Sequence, residues 1–203
     1  MCYLAAVLAV LGLGFALGVR HALDADHVAA VSTLVARQPG VRASSLAGAV
    51  WGLGHTLALV VVALLVVVLE IRLPARLAPA FELAVAAMLV GLGCDLLRRR
   101  HHTHHGYGAG HRRPFLVGVL HGLAGSASLM LAVLATIPER WAALAYVTAF
   151  GVGSIGGMAV MSAALSIPLG RLPRALGASA AVTSIAVGAL LAWDVGRTAG
   201  WLT

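Results

Sequence analysis

Six apolar runs divide this chain, at residues 2–19 (with 27–36 continuing the first), 45–69, 77–97, 114–136, 141–167 and 175–193. A bilayer's hydrocarbon core is crossed by about 20 helical residues, so each run is long enough to span it. Only helices and closed barrels satisfy every backbone hydrogen bond in lipid, and these runs lack the two-residue alternation of a barrel strand. The expected fold is therefore an all-α integral membrane protein with six transmembrane helices, a single transmembrane domain over residues 1–203. Composition agrees: 61% of the 203 residues are hydrophobic and 10% charged, which leaves no soluble domain. The first run has no basic n-region, and the residues after it are the most polar in the chain rather than a small-residue cleavage site. It reads as a helix of the mature protein, not a signal peptide.

All fourteen cations are Arg. Without Lys there is no Walker-type phosphate loop, so the chain is expected to have no ATPase of its own. The net charge of +7 is not a nucleic-acid footprint, because nearly all the Arg residues sit at helix ends. The first, third and fifth connections hold Arg37 and Arg42; Arg98, Arg99, Arg100, Arg112 and Arg113; and Arg171 and Arg174. The opposite side holds Arg72, Arg76, Arg140 and Arg197. By the positive-inside rule the Arg-rich side is cytoplasmic and the N-terminus of this multi-pass cell-membrane protein lies outside. Cys2 and Cys94 are too few for a disulfide framework.

The chain also resembles itself. Phe15 to Leu23 lies over Phe115 to Leu123 at an offset of one hundred, with Phe15, Gly18, Val19, His21 and Leu23 meeting identical residues. At an offset one shorter, Trp51-Gly-Leu-Gly-His55 lies over Phe150-Gly-Val-Gly-Ser154, and Asp95-Leu-Leu-Arg98 over Asp194-Val-Gly-Arg197. Two three-helix repeats are expected, about 1–100 and about 114–203, joined by a His-rich cytoplasmic loop over 98–113. Three crossings reverse direction, so the halves would be inverted, the arrangement of secondary transporters that hold their substrate near the midplane.

The most polar stretch, Arg20-His-Ala-Leu-Asp-Ala-Asp-His27, follows eighteen residues without a charge. On a helix continuing through 28–36, His21, Asp24 and His27 advance three positions at a time and share one face, while Asp26 points elsewhere. Imidazole, carboxylate and imidazole in sequence suit a borderline divalent cation such as Ni²⁺, Co²⁺ or Zn²⁺. Asp26 could then orient a ligand from behind. Surface charge, a buried ion-pair network and a proton relay compete with that reading. The apolar continuation places the cluster within the span, where each ionisable group costs about 3 kcal/mol to insert and is kept for function. His55 is the only ionisable residue of the second run and adds a further ligand candidate. His121, the repeat partner of His21, is another. Residues 101–111 read HHTHHGYGAGH, and His101, His102, His104, His105 and His111 form a metal-collecting tract without fixed geometry.

With those residues on the page, Arg20-His-Ala-Leu-Asp-Ala-Asp-His27 resembles the R-H-A-x-D-A-D-H signature of the nickel/cobalt transporter (NiCoT) family. Trp51-Gly-Leu-Gly-His55-Thr56 is similar to its F-x-x-G-H-[ST]. His121-Gly-Leu-Ala-Gly-Ser-Ala127 resembles the third motif of its short, urease-associated nickel permeases. The acidic L-G-x-D-T-A-T-E motif of the larger family is absent, and G-M-x-x-x-D is represented by Gly157-Met-Ala-Val-Met-Ser162, with Ser in place of Asp. The resemblance implies metal-ion transport, with His21, Asp24, Asp26, His27 and His55 as ligand or pathway residues.

The expected function is that of a permease carrying a divalent transition-metal ion, Ni²⁺ first and Co²⁺ next, into the cytoplasm. The metal is substrate, and neither a prosthetic group nor an enzymatic activity is expected. An efflux protein of the same superfamily and a metal-binding subunit served by a separate ATPase are the alternatives. Besides the cation and lipid, the partners left open are a cytoplasmic metal chaperone and urease or hydrogenase maturation proteins.

Overall fold

Where they are described, the apolar runs, rich in Leu, Ala and Val, form helices. A computed structural model describes residues 2–70, 74, 76–98, 110–124, 136–137, 139–171 and 173–201. Among these the chain is all-helical: α1 Cys2–His21, α2 Ala25–Val35, α3 Val41–Ala63 with a π-helical extension Leu64–Val68, α4 Leu77–Arg98, α5 Arg112–Gly122, α6 Arg140–Arg171 and α7 Pro173–Thr198. Four helices are long and apolar enough to cross a membrane, or five if α1 and α2 together make one broken span. The 114–136 run is represented by α5, whose eleven residues are too few to cross alone. Its remainder, 125–135, lies outside the described residues, as do His101, His102, His104 and His105.

One expectation is corrected. Residues 20–36 are not one continuous helix: α1 stops at His21, Ala22 to Asp24 turn, and α2 leaves at 59°. The turn is closed by the Leu23 and Asp24 amides on the carbonyls of Arg20 and His21, at 2.9 and 3.1 Å. Asp24 stands at the N-cap of α2 with an extended backbone (φ −63°, ψ 149°), and Asp26 lies in the first helical turn. Both positions favour a carboxylate, since they face the unsatisfied amides and the positive end of the new helix. His21, Asp24 and His27 therefore do not share a helix face. They converge from two helix ends.

Close glycine contacts hold the helices that carry the site. α1 packs along α6, α3 lies between α6 and α5, α4 pairs with α7, and α2 reaches across to α7, α6 and α4. At Gly18 a methyl group would stand 2.1 Å from the Phe150 carbonyl oxygen and 2.9 Å from the Ser154 amide. At Gly118 it would stand 2.1 Å from the Trp51 carbonyl oxygen and 2.9 Å from the His55 amide. Only Gly lets the backbones meet at that separation. At the Arg-rich end Asp95 of α4 accepts from Arg37 and Arg113, at 3.0 and 2.6 Å, tying α4 to the α2–α3 connection and to the start of α5.

Candidate metal site

Four helices bring an imidazole to one point. His21 closes α1, His27 lies in the first turn of α2, His55 is mid-way along α3, and His121 is in the last turn of α5. His27, His55 and His121 are fully buried, and His21 is 7% exposed. Ring centroids of His27 lie 4.4 Å from His21, 5.2 Å from His55 and 4.2 Å from His121.

The hydrogen bonds assign the ring nitrogens. His21 Nδ1 donates to Asp24 Oδ2 at 2.8 Å. His27 Nδ1 donates to Asp26 Oδ1 at 3.0 Å, and the His27 backbone amide donates to the same oxygen at 2.9 Å. His121 Nε2 donates to Asp26 Oδ2 at 2.9 Å, across ninety-five residues of sequence. With one N–H per neutral imidazole, His21 Nε2 is left as an acceptor, and His55 Nε2 donates to it at 3.2 Å. The tautomers follow from this network rather than from located hydrogens. His27 Nε2, His55 Nδ1 and His121 Nδ1 remain as buried nitrogens without a hydrogen-bond partner. An unsatisfied buried polar atom costs about 1–3 kcal/mol. The cluster carries that cost at three nitrogens.

Two donor sets result: His21, His27 and His55, and Asp26, His27 and His121, the ligand atoms of each set lying within 4.8 Å of one another. Two imidazole nitrogens bound to one ion at about 2.0–2.1 Å come roughly 3 Å apart. The His21 Nε2 to His55 Nε2 distance of 3.2 Å is already that separation. Asp24 and Asp26 hold the far nitrogens of their imidazoles, the outer support that orients metal-binding His elsewhere. Asp24 is the more open, with 48% of its side chain exposed against 27% for Asp26.

Each of the six candidates outside the His-rich loop thus reaches the cluster, Asp26 included, which joins two of the rings rather than pointing away. His111 does not: it is exposed at the N-cap of α5. Two wall residues escaped the sequence reading. Phe150 lies 5.4 Å from the His21 ring, and Trp51 lies 5.4 Å from His27 and 5.7 Å from His121. The repeat offset that pairs Trp51 with Phe150 was the signal for both.

Residues 7–92 match the model of a family described as high-affinity nickel-transport protein. That stretch contains His21, Asp24, Asp26, His27 and His55 and ends before His121. The chain is 34% identical over 161 residues to the urease accessory protein UreH of Bacillus sp. (strain TB-90), covering 71% of each chain. No solved structure matches it.

Proposed function

The chain belongs to the high-affinity nickel-transport protein family, and from that premise we propose that it is a permease that carries Ni²⁺ into the cytoplasm through the His/Asp cluster at the α1–α2 break. His21, His27 and His55 hold the ion, Asp24 and Asp26 hold the first two of those rings, and His121 shares Asp26. Three soft-to-borderline nitrogens suit Ni²⁺ and Co²⁺ better than Mg²⁺ or Ca²⁺, which prefer oxygen. The two carboxylates behind the rings offset the cation's charge where lipid and apolar helices surround it.

The observation that carries this reading is the approach of His21 Nε2 and His55 Nε2 to 3.2 Å beside the unpartnered His27 Nε2, at the break between two apolar helices bent by 59°. Broken helices are where secondary transporters hold ions, because their ends expose backbone and side-chain dipoles to a cavity.

The same reading takes 114–136 as a sixth crossing and the two halves, about 1–100 and 114–203, as inverted repeats. Its support is the matched packing of Gly18 on Phe150 and Ser154 and of Gly118 on Trp51 and His55. The N-terminus then lies outside and the 98–113 loop in the cytoplasm, where His101, His102, His104, His105 and His111 receive the ion. Nickel-enzyme maturation proteins, for urease or hydrogenase, are the natural recipients, and the name of the Bacillus relative points to urease.

The test is radioactive nickel uptake by cells expressing the chain, against competing Co²⁺, Zn²⁺ and Mn²⁺. Saturable uptake suppressed by Co²⁺ and not by Mn²⁺ is expected. Net loss of preloaded nickel would make the protein an exporter.

A further inference from the structure

Five residues of the cluster fall into two donor sets. We propose that they make two stations for a single Ni²⁺, one of His21, His27 and His55 and one of Asp26, His27 and His121, and that the ion passes between them over the two edges of the His27 ring. The inference rests on the reading of this cluster as the transport site.

The geometry separates the stations. His27 Nδ1 is turned to Asp26, so the nitrogen it has for His21 and His55 is Nε2, on the other edge of the ring. Asp26 is gripped from both sides, by His27 Nδ1 at 3.0 Å and by His121 Nε2 at 2.9 Å. Those are themselves distances between neighbouring ligands on one cation, roughly 3 Å for donors about 2.0–2.1 Å from the metal. The second set is thus arranged like a coordination shell closed on itself, with N–H groups where the ion would be.

A neutral imidazole carries one proton, and that makes the stations exclusive. With the proton on Nδ1, His27 offers Nε2 to the first station and its N–H to Asp26. For the second station the proton moves from Nδ1 to Nε2, and Nδ1 becomes the ligand. His121 does the same, its proton moving from Nε2 to the unpartnered Nδ1. No proton enters or leaves either ring, and His27 cannot serve both stations at once. One chain therefore holds one ion in either place. The first station is neutral and the second carries a carboxylate, so the ion moves between unlike shells instead of sinking into a single tight one.

Equilibrium binding of Ni²⁺ alone to the purified full chain, beside uptake in cells, tests this. The variants are His55→Ala, His121→Gln, whose amide keeps a donor for Asp26 Oδ2, and the pair combined; for binding, these and the wild type all carry His101, His102, His104, His105 and His111 replaced by Ala, so that the loop holds no ion. The wild type should bind one ion, each single variant should still bind one through the station left to it, and the double variant none. Both single variants should lose uptake at least tenfold, because each lacks half of the path. His55→Asn provides the first arm should the Ala variant fail to reach the membrane, and the wild-type stoichiometry is read without any substitution in the cluster. Two ions on the wild type, no binding by either single variant, or wild-type uptake by either would overturn the two stations. A wild type that binds no Ni²⁺ would overturn the transport site itself. Binding that vanishes in both single variants would instead leave one undivided site.

Discussion

Two helix tips meet the centre of this protein in the same way and bring different chemistry. At one, α1 ends with the Asp24 amide on the His21 carbonyl at 3.1 Å, Gly18 lies on Phe150 and Ser154, and the His21 ring is 5.4 Å from Phe150. At the other, α5 ends with the Ala124 amide on the His121 carbonyl at 3.2 Å, Gly118 lies on Trp51 and His55, and the His121 ring is 5.7 Å from Trp51. The backbone and packing correspond residue for residue. The donors do not: His55 stands opposite Ser154, and Asp24 opposite Ala124. Packing that holds an imidazole at a helix end is thus shared by both halves, whereas the carboxylates and the extra imidazole belong to the first half. Asp26 serves both, because its Oδ1 accepts from His27 and its Oδ2 from His121.

The largest effect should come from disturbing what the tips share. Gly118→Ala and Gly18→Ala each force a methyl group to 2.1 Å from a carbonyl oxygen that cannot move without its helix. Overpacking of this kind costs about 1–3 kcal/mol, and here the displaced helix also carries a ligand. Both should abolish nickel uptake and lower the melting temperature, while Gly12→Ala, which meets nothing within 4 Å, should do neither. Wild-type uptake in either of the first two would mean that the close contacts do not position the site.

The next effect separates the tips. His55→Ala removes a ligand and should cut uptake by more than the roughly 10–100-fold that losing an outer partner of a ligand costs, and Ser154→Ala should stay near wild type. Ser154 Oγ donates to the Gly18 carbonyl at 3.3 Å and to no other described residue. Equal losses in the two, at matched membrane abundance, would make the halves functionally alike and remove the asymmetry.

A smaller difference is expected between the carboxylates. Asp26→Asn keeps an acceptor oxygen for one ring, sets an NH2 against the N–H of the other and removes the charge, and should lower uptake about tenfold. Asp24→Asn should cost less, since Asp24 holds one ring and is half-exposed. The reverse order would place the working carboxylate on the α1 side. Smallest of all, deletion of 101–111 should reduce uptake at scarce nickel and leave the rate at saturating nickel unchanged.

Much of this was legible because lipid leaves the backbone few choices. The runs at 45–69, 77–97, 141–167 and 175–193 are α3 with its extension, α4, α6 and α7, within a few residues at most ends. His21, Asp24, His27 and His55 stand out in the sequence as polar residues where polarity is costly. The break between α1 and α2 did not stand out, for a physical reason: Asp24 and Asp26 are at once the residues that start a helix and the residues that orient a metal ligand, and the second role masked the first. The Asp26–His121 bond was out of reach, since no local pattern joins groups ninety-five residues apart. Trp51 and Phe150 entered only as a pair in the repeat, and it is the packing that makes them walls of the cluster.

The central claim is that buried imidazoles at a broken helix hold the transported ion. X-ray absorption at the nickel edge, on the purified chain with His101, His102, His104, His105 and His111 replaced by Ala and loaded with less than one equivalent of Ni²⁺, tests it most directly. The account predicts a first shell of nitrogen and oxygen with the outer-shell scattering of at least two imidazoles, and its loss when His21, His27, His55 and His121 are replaced together. A shell of oxygen alone, or one containing sulfur from Cys94, would contradict it.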